Sequence, residues 1–343
     1  MLCVRFMDLE RPHHICKDIS KISKKHLEPI SEAKFVVTDK NWQEFIGRLD
    51  SYASYLKYFD QQVSEQGHIA TLKKYLPHLI PGLAGAALHP LIHLGYSVEF
   101  NLPLAAAEGL AYACSSYYAP GEAINEVVAK ESSKDSCLQL ITQFPFEKSK
   151  YENEGKKESA LLTKMGGFIK KHGVDLVNLC SDWACTVDNV SEKAQDLTLG
   201  TVKIFDGSYR QGTMDFFLVH ALTGNHSVCA LIEILDAKDQ VRLLNLNFMA
   251  LTILYAVQGV PSIHIDSSND MVYEGLSTSW EELAARASES NDSHVIKAVR
   301  NLHQSEVKYG KMHGIFHRPA ARCIKDVLKN GWCFMGIGFL PDN

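Results

Sequence analysis

The stretch NWQEFIGRLDSYASYLKYFDQQV, Asn41 to Val63, indicates the fold class of the whole chain. Its apolar residues recur three and four positions apart, which is the spacing of one face of an α-helix. The members of that face are Phe45, Ile46, Leu49, Tyr52, Tyr55, Leu56 and Phe59. Few segments show the period of two that a half-buried strand requires. We therefore predict an all-α protein.

Two later segments add helices to this prediction. LLNLNFMALTILYAVQGV (residues 243–260) is apolar on every side and predicts a buried helix that ends near Gly259. SWEELAARASES (residues 279–290) has Ser279 three positions before Glu282, which is typical of a capped amphipathic helix. Both segments support a large, mainly helical core.

The domain organisation follows from one change of composition. Residues 130–158 are mostly charged and polar and predict a surface connection. We predict a single large helical domain over residues 1–343, with two packed helical halves (1–129 and 159–343) joined by that connection as the alternative.

The composition limits the classes of function. The 343 residues carry a net charge of -5, so no basic excess suits a nucleic acid. No apolar run resembles a signal peptide or reaches about 18 uninterrupted residues, so we predict a cytoplasmic protein that does not bind membranes. The nine cysteines lack CxxC spacing and are expected to be reduced, mostly buried thiols. The sequence does not indicate an oligomeric state.

The segment HPLIHLGYSVEF (residues 89–100) places two histidines four positions apart in an apolar run. Pro90 fits the first turn of a helix, so His89 would begin the helix and His93 would follow one turn later. Both side chains would then face one cavity as a metal site or a proton-transfer pair. The alternative is structural, with one histidine capping the helix and the other bonded to a carbonyl in the core.

A third histidine, His220, lies in MDFFLVHALTGNHSVCALIEIL (residues 214–235), where Asp215 is predicted to cap a helix. A buried imidazole costs free energy unless its nitrogens find partners, so His220 requires a hydrogen bond or a ligand. We expect a helix break or a cap near Gly224, just before His226.

The segment NDSHVIKAVRNLHQ (residues 291–304) places His294 and Lys297 three residues apart on one helix face. This face is either a solvated basic surface or the site of a desolvated lysine that takes up carbon dioxide as a metal-binding carbamate. His313 and His317 in MHGIFHRP are predicted to lie in a loop or at a helix end.

Several familiar signatures are absent from the sequence. GxSxG, GxxxxGK, GxGxxG and HExxH do not occur, which argues against the usual serine hydrolases, NTPases, flavin or NAD(P) enzymes and zinc proteases. Any chemistry must therefore come from the dispersed histidines.

Four of these segments, taken in order, resemble the questin oxidase-like family: residues 41–63, 89–100 and 215–224, and SHVIKAVRNL. The similarity runs from about residue 11 to residue 303. It implies a helical enzyme with a central tunnel that uses O2 on an aromatic polyketide or quinone-like substrate. The implied reaction is a Baeyer-Villiger-type oxidation or a carbon-carbon bond cleavage.

The resemblance also implies the site residues, and two versions of the chemistry remain open. In the first version, iron(II) is held by ligands drawn from His89, His93, His220, His294 and a carbamylated Lys297. In the second, metal-free version, His93 or His220 removes a phenolic proton, and Tyr96 and Glu99 orient the base or the substrate.

One departure from the family pattern supports an alternative function. Family members have a further histidine-rich segment upstream of the region that matches RPHH, and we do not find it before Arg11. His13 or His14 would have to replace a ligand from that segment. The alternative is an inactive helical binding or scaffold protein. A histidine-ligated metal hydrolase is a third reading, but no acidic ligand set supports it.

Overall fold

The computed structural model describes residues 31–130, 135–146, 158–264 and 279–341. These residues form helices and no β-strand, so the all-α prediction is confirmed. The α-helices are α1 (Tyr52–Gln66), α2 (His68–Leu79), α3 (His89–Glu99), α4 (Pro103–Ser115), α5 (Cys137–Gln143), α6 (Glu158–Trp183), α7 (Val190–Gly207), α8 (Leu218–Leu231), α9 (Ala237–Val257), α10 (Trp280–Glu289), α11 (Ser293–Tyr309), α12 (His317–Arg322) and α13 (Leu328–Asn330). A π-helical turn, Cys323–Val327, joins the last two.

The segment that predicted the fold class is less regular at its start than its spacing indicates. The prediction of a single helix that begins at Asn41 is wrong, because two 3-10 turns, Trp42–Phe45 and Leu49–Ser51, precede α1. Between them Gly47 has a φ of +79°, which a continuing right-handed helix cannot contain. Leu49 is consequently exposed instead of facing the core.

The helices predicted at residues 243–260 and 279–290 are confirmed. Helix α9 is buried along most of its length and starts at Ala237, where the Asp236 carboxylate accepts a hydrogen bond from the amide of Asp239 (3.0 Å). It is also the one described helix whose length and apolar composition would suffice to cross a membrane, although most of it is buried inside the protein. Helix α10 begins after Ser279, whose hydroxyl accepts from the amide of Glu282 (3.2 Å).

Helix α8 lies among four neighbours and positions the site. It packs against α3 and α11 on different sides and against α7 and α9. Helices α3 and α8 belong to the two predicted halves yet share one hydrophobic core. Within residues 130–158 the structure describes α5 and the residues next to it. The division of the chain into two halves stays a prediction, and so does the central tunnel.

The contact between α3 and α8 depends on Gly95. A Cβ atom at this position would lie 2.3 Å from the Cβ of Ser227, far inside van der Waals contact. Gly95→Ala is therefore expected to push the two helices apart and to lower the free energy of unfolding by about 1–3 kcal/mol. Urea unfolding would measure the loss.

The matched control for that substitution is Gly167→Ala on α6, where nothing lies within 4 Å of the added atom. The control should raise the free energy of unfolding by about 0.5–1 kcal/mol, because alanine favours a helix. Equal effects at both positions would contradict the close-packing explanation.

Candidate metal centre

Three of the predicted histidines converge where α3, α8 and α11 meet. His89, His220 and His294 each place a potential ligand atom within 4.8 Å of those of the other two. The imidazole of His220 is in the middle, with its centroid 4.9 Å from that of His89 and 5.0 Å from that of His294. Residues more than 200 positions apart in the sequence thus form one cluster.

Each of the three imidazoles has an oxygen atom beside its Nδ1. The pairs are His89 with the carbonyl of Ala86 (2.6 Å), His220 with the carbonyl of Phe216 (2.7 Å) and His294 with the carboxylate of Asp292 (3.5 Å). A hydrogen on Nδ1 satisfies these oxygens and leaves the lone pair on Nε2. Metal-binding histidines in proteins are usually oriented in this way.

The backbone before α3 is strained in a way that fixes His89. Ala86, Ala87 and Leu88 have φ values of +46°, +53° and +66°, a left-handed conformation that such residues seldom adopt. This turn brings the carbonyl of Ala86 back onto Nδ1 of His89. Backbone strain of this kind tends to persist at functional sites.

His220 is the most deeply buried member of the cluster, with 1% of its surface exposed. Its Nε2 has no hydrogen-bond partner among the described residues. Burial, and then the nearby His89, His294 and Lys297, lower the pKa of His220 well below its usual value. The imidazole is therefore neutral, and its buried lone pair suits a cation.

This donor set fits a transition metal ion. Imidazole nitrogens bind iron, zinc, copper and nickel, at about 2.1 Å in the case of zinc. The ligands of one ion therefore lie closer together than 4.8 Å, so binding would draw the three side chains inward. Three protein ligands would leave coordination positions open for small molecules.

Asp292 connects the cluster to the rest of the protein. Its Oδ1 accepts hydrogen bonds from the amides of His294 (2.8 Å) and Val295 (3.3 Å) and so caps α11, while its Oδ2 accepts from Nε1 of Trp332 (2.7 Å). Burial opposes ionisation, but the hydrogen bonds from His294 and Trp332 outweigh it and lower the pKa of Asp292 to about 2. The carboxylate is thus charged beside His294.

Asp292→Asn is expected to weaken metal binding about 10- to 100-fold, because the amide removes the negative charge next to Nδ1 of His294. Asparagine caps helices as well as aspartate does, so α11 should remain folded. Competition with a chromogenic chelator would measure the affinity. Asp236→Asn, at the start of α9, is the matched cap control, and an equal loss there would contradict a role specific to the cluster.

Two other predicted ligands lie next to the cluster. The ring of His93 packs edge-on against Tyr112 (5.9 Å between centroids) and is not one of the three converging histidines. Burial, followed by His89 and Lys297, lowers the pKa of His93 to about 4. Lys297 lies on α11 one turn after His294, and its charge lowers the pKa of both His93 and His220. Coordination by His93 or Lys297 stays a prediction.

The structure places Tyr96 and Glu99 farther along α3, each with a partner of its own. The hydroxyl of Tyr96 donates to Oδ1 of Asn301 (3.4 Å). The carboxylate of Glu99 accepts from both terminal nitrogens of Arg300 and from Nε2 of His226 (3.0 Å). These contacts give both residues a structural role, and their predicted part in catalysis stays untested.

The other histidines singled out in the sequence are not part of the described cluster. Helix α8 continues through Gly224, so the break expected before His226 is wrong. His313 lies in a 3-10 turn and His317 begins α12, which confirms a helix end there. His13 and His14 lie outside the described residues.

The sequence analysis did not single out four further residues at the cluster: Phe216, Asp292, Trp332 and Phe334. The ring of Phe216 lies 5.0 Å from that of His220 and 4.6 Å from that of His294. Trp332 reaches Asp292 from 40 residues away, and Phe334 packs on Phe216 at 4.3 Å. Only Asp292 carried a local signal, as a residue type that caps helices.

Two named oxidases are similar to most of this chain. A Baeyer-Villiger oxidase of Pestalotiopsis microspora is 25% identical over 294 residues, covering 78% of this chain and 65% of that protein. The questin oxidase of Aspergillus terreus is 23% identical over 281 residues, covering 76% of this chain and 63% of that protein. The matched region thus spans less than two thirds of the length of these relatives.

The family model described as Questin oxidase-like matches residues 12–302, which include all three histidines of the cluster. A match over most of the chain shows common descent with that family. This protein therefore belongs to the questin oxidase-like family.

Proposed function

We propose that this protein is an oxygen-dependent oxidoreductase acting on an electron-rich aromatic small molecule, and that His89, His220 and His294 hold a divalent transition metal ion, with iron(II) as the leading candidate. The observation that carries the proposal is the convergence of three oriented imidazoles around a buried, unpartnered lone pair. In a protein without a ligand for it, that lone pair would be an uncompensated cost.

Each residue of the cluster has a distinct task in this proposal. His220 supplies the buried ligand, and His89 supplies a second ligand that the turn before α3 holds in place. His294, with 21% of its side chain exposed, supplies a third ligand that solvent reaches. Asp292 supplies a negative charge that balances part of the cation. The ion itself would supply open positions at which O2 and substrate meet.

The low pKa of His93 favours the metal-dependent version of the chemistry over the metal-free version. A base with a pKa of about 4 is weak for removing a phenolic proton at neutral pH. The same value keeps His93 uncharged beside the cluster, so it adds no further repulsion to a cation. The ammonium group of Lys297 would repel a bound cation. Conversion of this group to a carbamate would remove the repulsion and add an oxygen ligand.

The substrate class comes from the relatives. Their names specify Baeyer-Villiger oxidation and the oxidation of questin. We infer a quinone-like or other aromatic polyketide substrate. The reaction is either cleavage of a carbon-carbon bond, with both atoms of O2 entering the product, or insertion of one oxygen atom next to a carbonyl, with an external two-electron reductant that converts the second atom to water.

The test combines metal content with oxygen uptake. The protein would be reconstituted with ferrous iron without oxygen, desalted and analysed by elemental mass spectrometry, and then supplied with O2 and 1,8-dihydroxyanthraquinone, with and without NADPH as the two-electron reductant. We expect about one ion per chain and oxygen uptake that requires it. His294→Ala should lose both, whereas His172→Gln, on α6 and paired with Asp175, should lose neither.

The other outcomes distinguish the alternatives. Oxygen uptake without any bound metal would overturn the metal centre and leave a metal-free oxidase. Neither metal binding nor oxygen uptake with a panel of polyhydroxylated aromatic compounds would favour the inactive binding protein.

A further inference from the structure

A C-terminal segment, residues 331–341, lies directly against the histidine cluster. It is tied to the start of α8 by two backbone hydrogen bonds, from Cys333 to Met214 and from Phe216 to Cys333 (2.9 Å each). Farther along, the amide of Ile337 donates to the buried carboxylate of Asp215 (2.9 Å). This segment follows the region that the family model covers, so family membership assigns it no role.

The segment places two aromatic rings, those of Trp332 and Phe334, beside the ring of Phe216. Phe334 is 45% exposed, and its ring packs on Phe216 at 4.3 Å. Phe216 in turn contacts both His220 and His294, and Trp332 packs 6.4 Å from the ring of His294. The rings of Phe216, Trp332 and Phe334 are here called the aromatic wall, and two of them, Phe216 and Trp332, flank His294.

Hydrogen bonds hold the backbone of the C-terminal segment in place on both sides of the aromatic wall. Gly331 and Gly336 have φ values of +82° and +93°, which allow the chain to turn on both sides of the exposed residues. Between these glycines Cys333 is buried, and its backbone N–H and C=O groups both form hydrogen bonds. The indole N–H of Trp332 donates to the carboxylate of Asp292. A fixed surface costs a ligand less ordering free energy than a mobile loop does.

We propose that the aromatic wall is the substrate-binding surface of the site, and that Phe334 stacks against the planar ring system of the substrate. The inference rests on the proposed function and extends it by naming the residues that select a flat aromatic molecule. Offset stacking of aromatic rings is favourable, and ligand pockets combine aromatic surface with a few polar groups. A ring stacked on Phe334 would lie next to Phe216, whose ring contacts both His220 and His294.

Binding of 1,8-dihydroxyanthraquinone to the metal-free protein tests the wall without requiring catalysis. Quenching of tryptophan fluorescence would report on Trp332 as the dye is added. We expect Phe334→Ser to raise the Kd about tenfold and Phe334→Tyr, which keeps the ring, to change it less than about twofold. The matched control is Val307→Ser, an exposed apolar residue on α11.

Turnover provides the second readout. In the iron-loaded protein, Phe334→Ser should raise KM by the same factor while metal content and kcat stay unchanged, because Phe334 contacts none of the three ligands. Equal Kd values for the wild type and Phe334→Ser would overturn the aromatic wall and leave the metal centre standing. Failure of the wild type to bind a panel of planar two- and three-ring phenols would also refute it, and oxygen uptake decides the proposed function separately.

Discussion

Replacing His220 by leucine is expected to abolish metal binding while leaving the metal-free protein at least as stable as the wild type. Burial of the unpartnered Nε2 of His220 lowers the stability of the folded protein by about 1–3 kcal/mol. The hydrogen bond from its Nδ1 to the carbonyl of Phe216 raises the stability by about 1 kcal/mol. Leucine of similar size removes both contributions, so the free energy of unfolding of the metal-free protein should rise by about 0–2 kcal/mol. The metal content should fall below about one tenth of an equivalent per chain, because two ligands remain.

Thermal unfolding with and without ferrous iron separates the two effects. An ion present at about 100 times its Kd stabilises the folded state by about 2.7 kcal/mol, so the Tm of the wild type should rise with added iron. His220→Leu should show no rise, and His172→Gln should behave like the wild type. A variant that unfolds outright without iron would show that His220 is a structural core residue, and one that keeps its iron would exclude it as a ligand.

The sequence singled out the three histidines of the cluster because each stands out within its own helix. His89 begins a helix that Pro90 fits, His220 is a polar residue inside an apolar run, and His294 follows a helix cap. Local spacing therefore identified residues that needed an explanation. It could not say that α3, α8 and α11 meet, and the family resemblance supplied that step.

The same spacing could not separate His89 from His93. Residues four apart on a helix share a face only approximately, and the position of α8 determines which of them meets His220. His93 instead packs against Tyr112 on α4. The aromatic wall escaped prediction for a related reason, since Trp332 and Phe334 reach the site through contacts between segments far apart in the sequence.

Glu99 was predicted as a catalytic residue, and Glu99→Gln is expected to lower the free energy of unfolding by about 3 kcal/mol instead. The side chains of Glu99 and Arg300 are only 19% and 10% exposed, so the variant leaves a nearly buried guanidinium without its counter-charge. Urea unfolding would measure the loss. Glu233→Gln is the matched control, because Glu233 is 71% exposed and 4.0 Å from Lys308, and it should cost less than about 0.5 kcal/mol.

The stability difference between the wild type and Glu99→Gln is expected to depend on pH. Burial opposes ionisation of Glu99, but His226 and Arg300 outweigh it and lower its pKa from 4.5 to about 2. A carboxyl group whose pKa is lower in the folded state stabilises that state above its unfolded pKa and loses the contribution as the pH falls. The stability difference between wild type and Glu99→Gln should therefore be constant above pH 5 and shrink between about pH 4.5 and 2.

Oxygen uptake by the folded Glu99→Gln variant then decides between the two roles. A structural residue leaves metal content unchanged and turnover per folded molecule within about twofold, because Glu99 contacts Arg300 and His226 and none of the three ligands. A loss of turnover beyond about 100-fold, with iron still bound and the protein still folded, would make Glu99 a positioning residue for the reaction. Since glutamine keeps the size and one oxygen of the side chain, such a loss would be due to the missing charge.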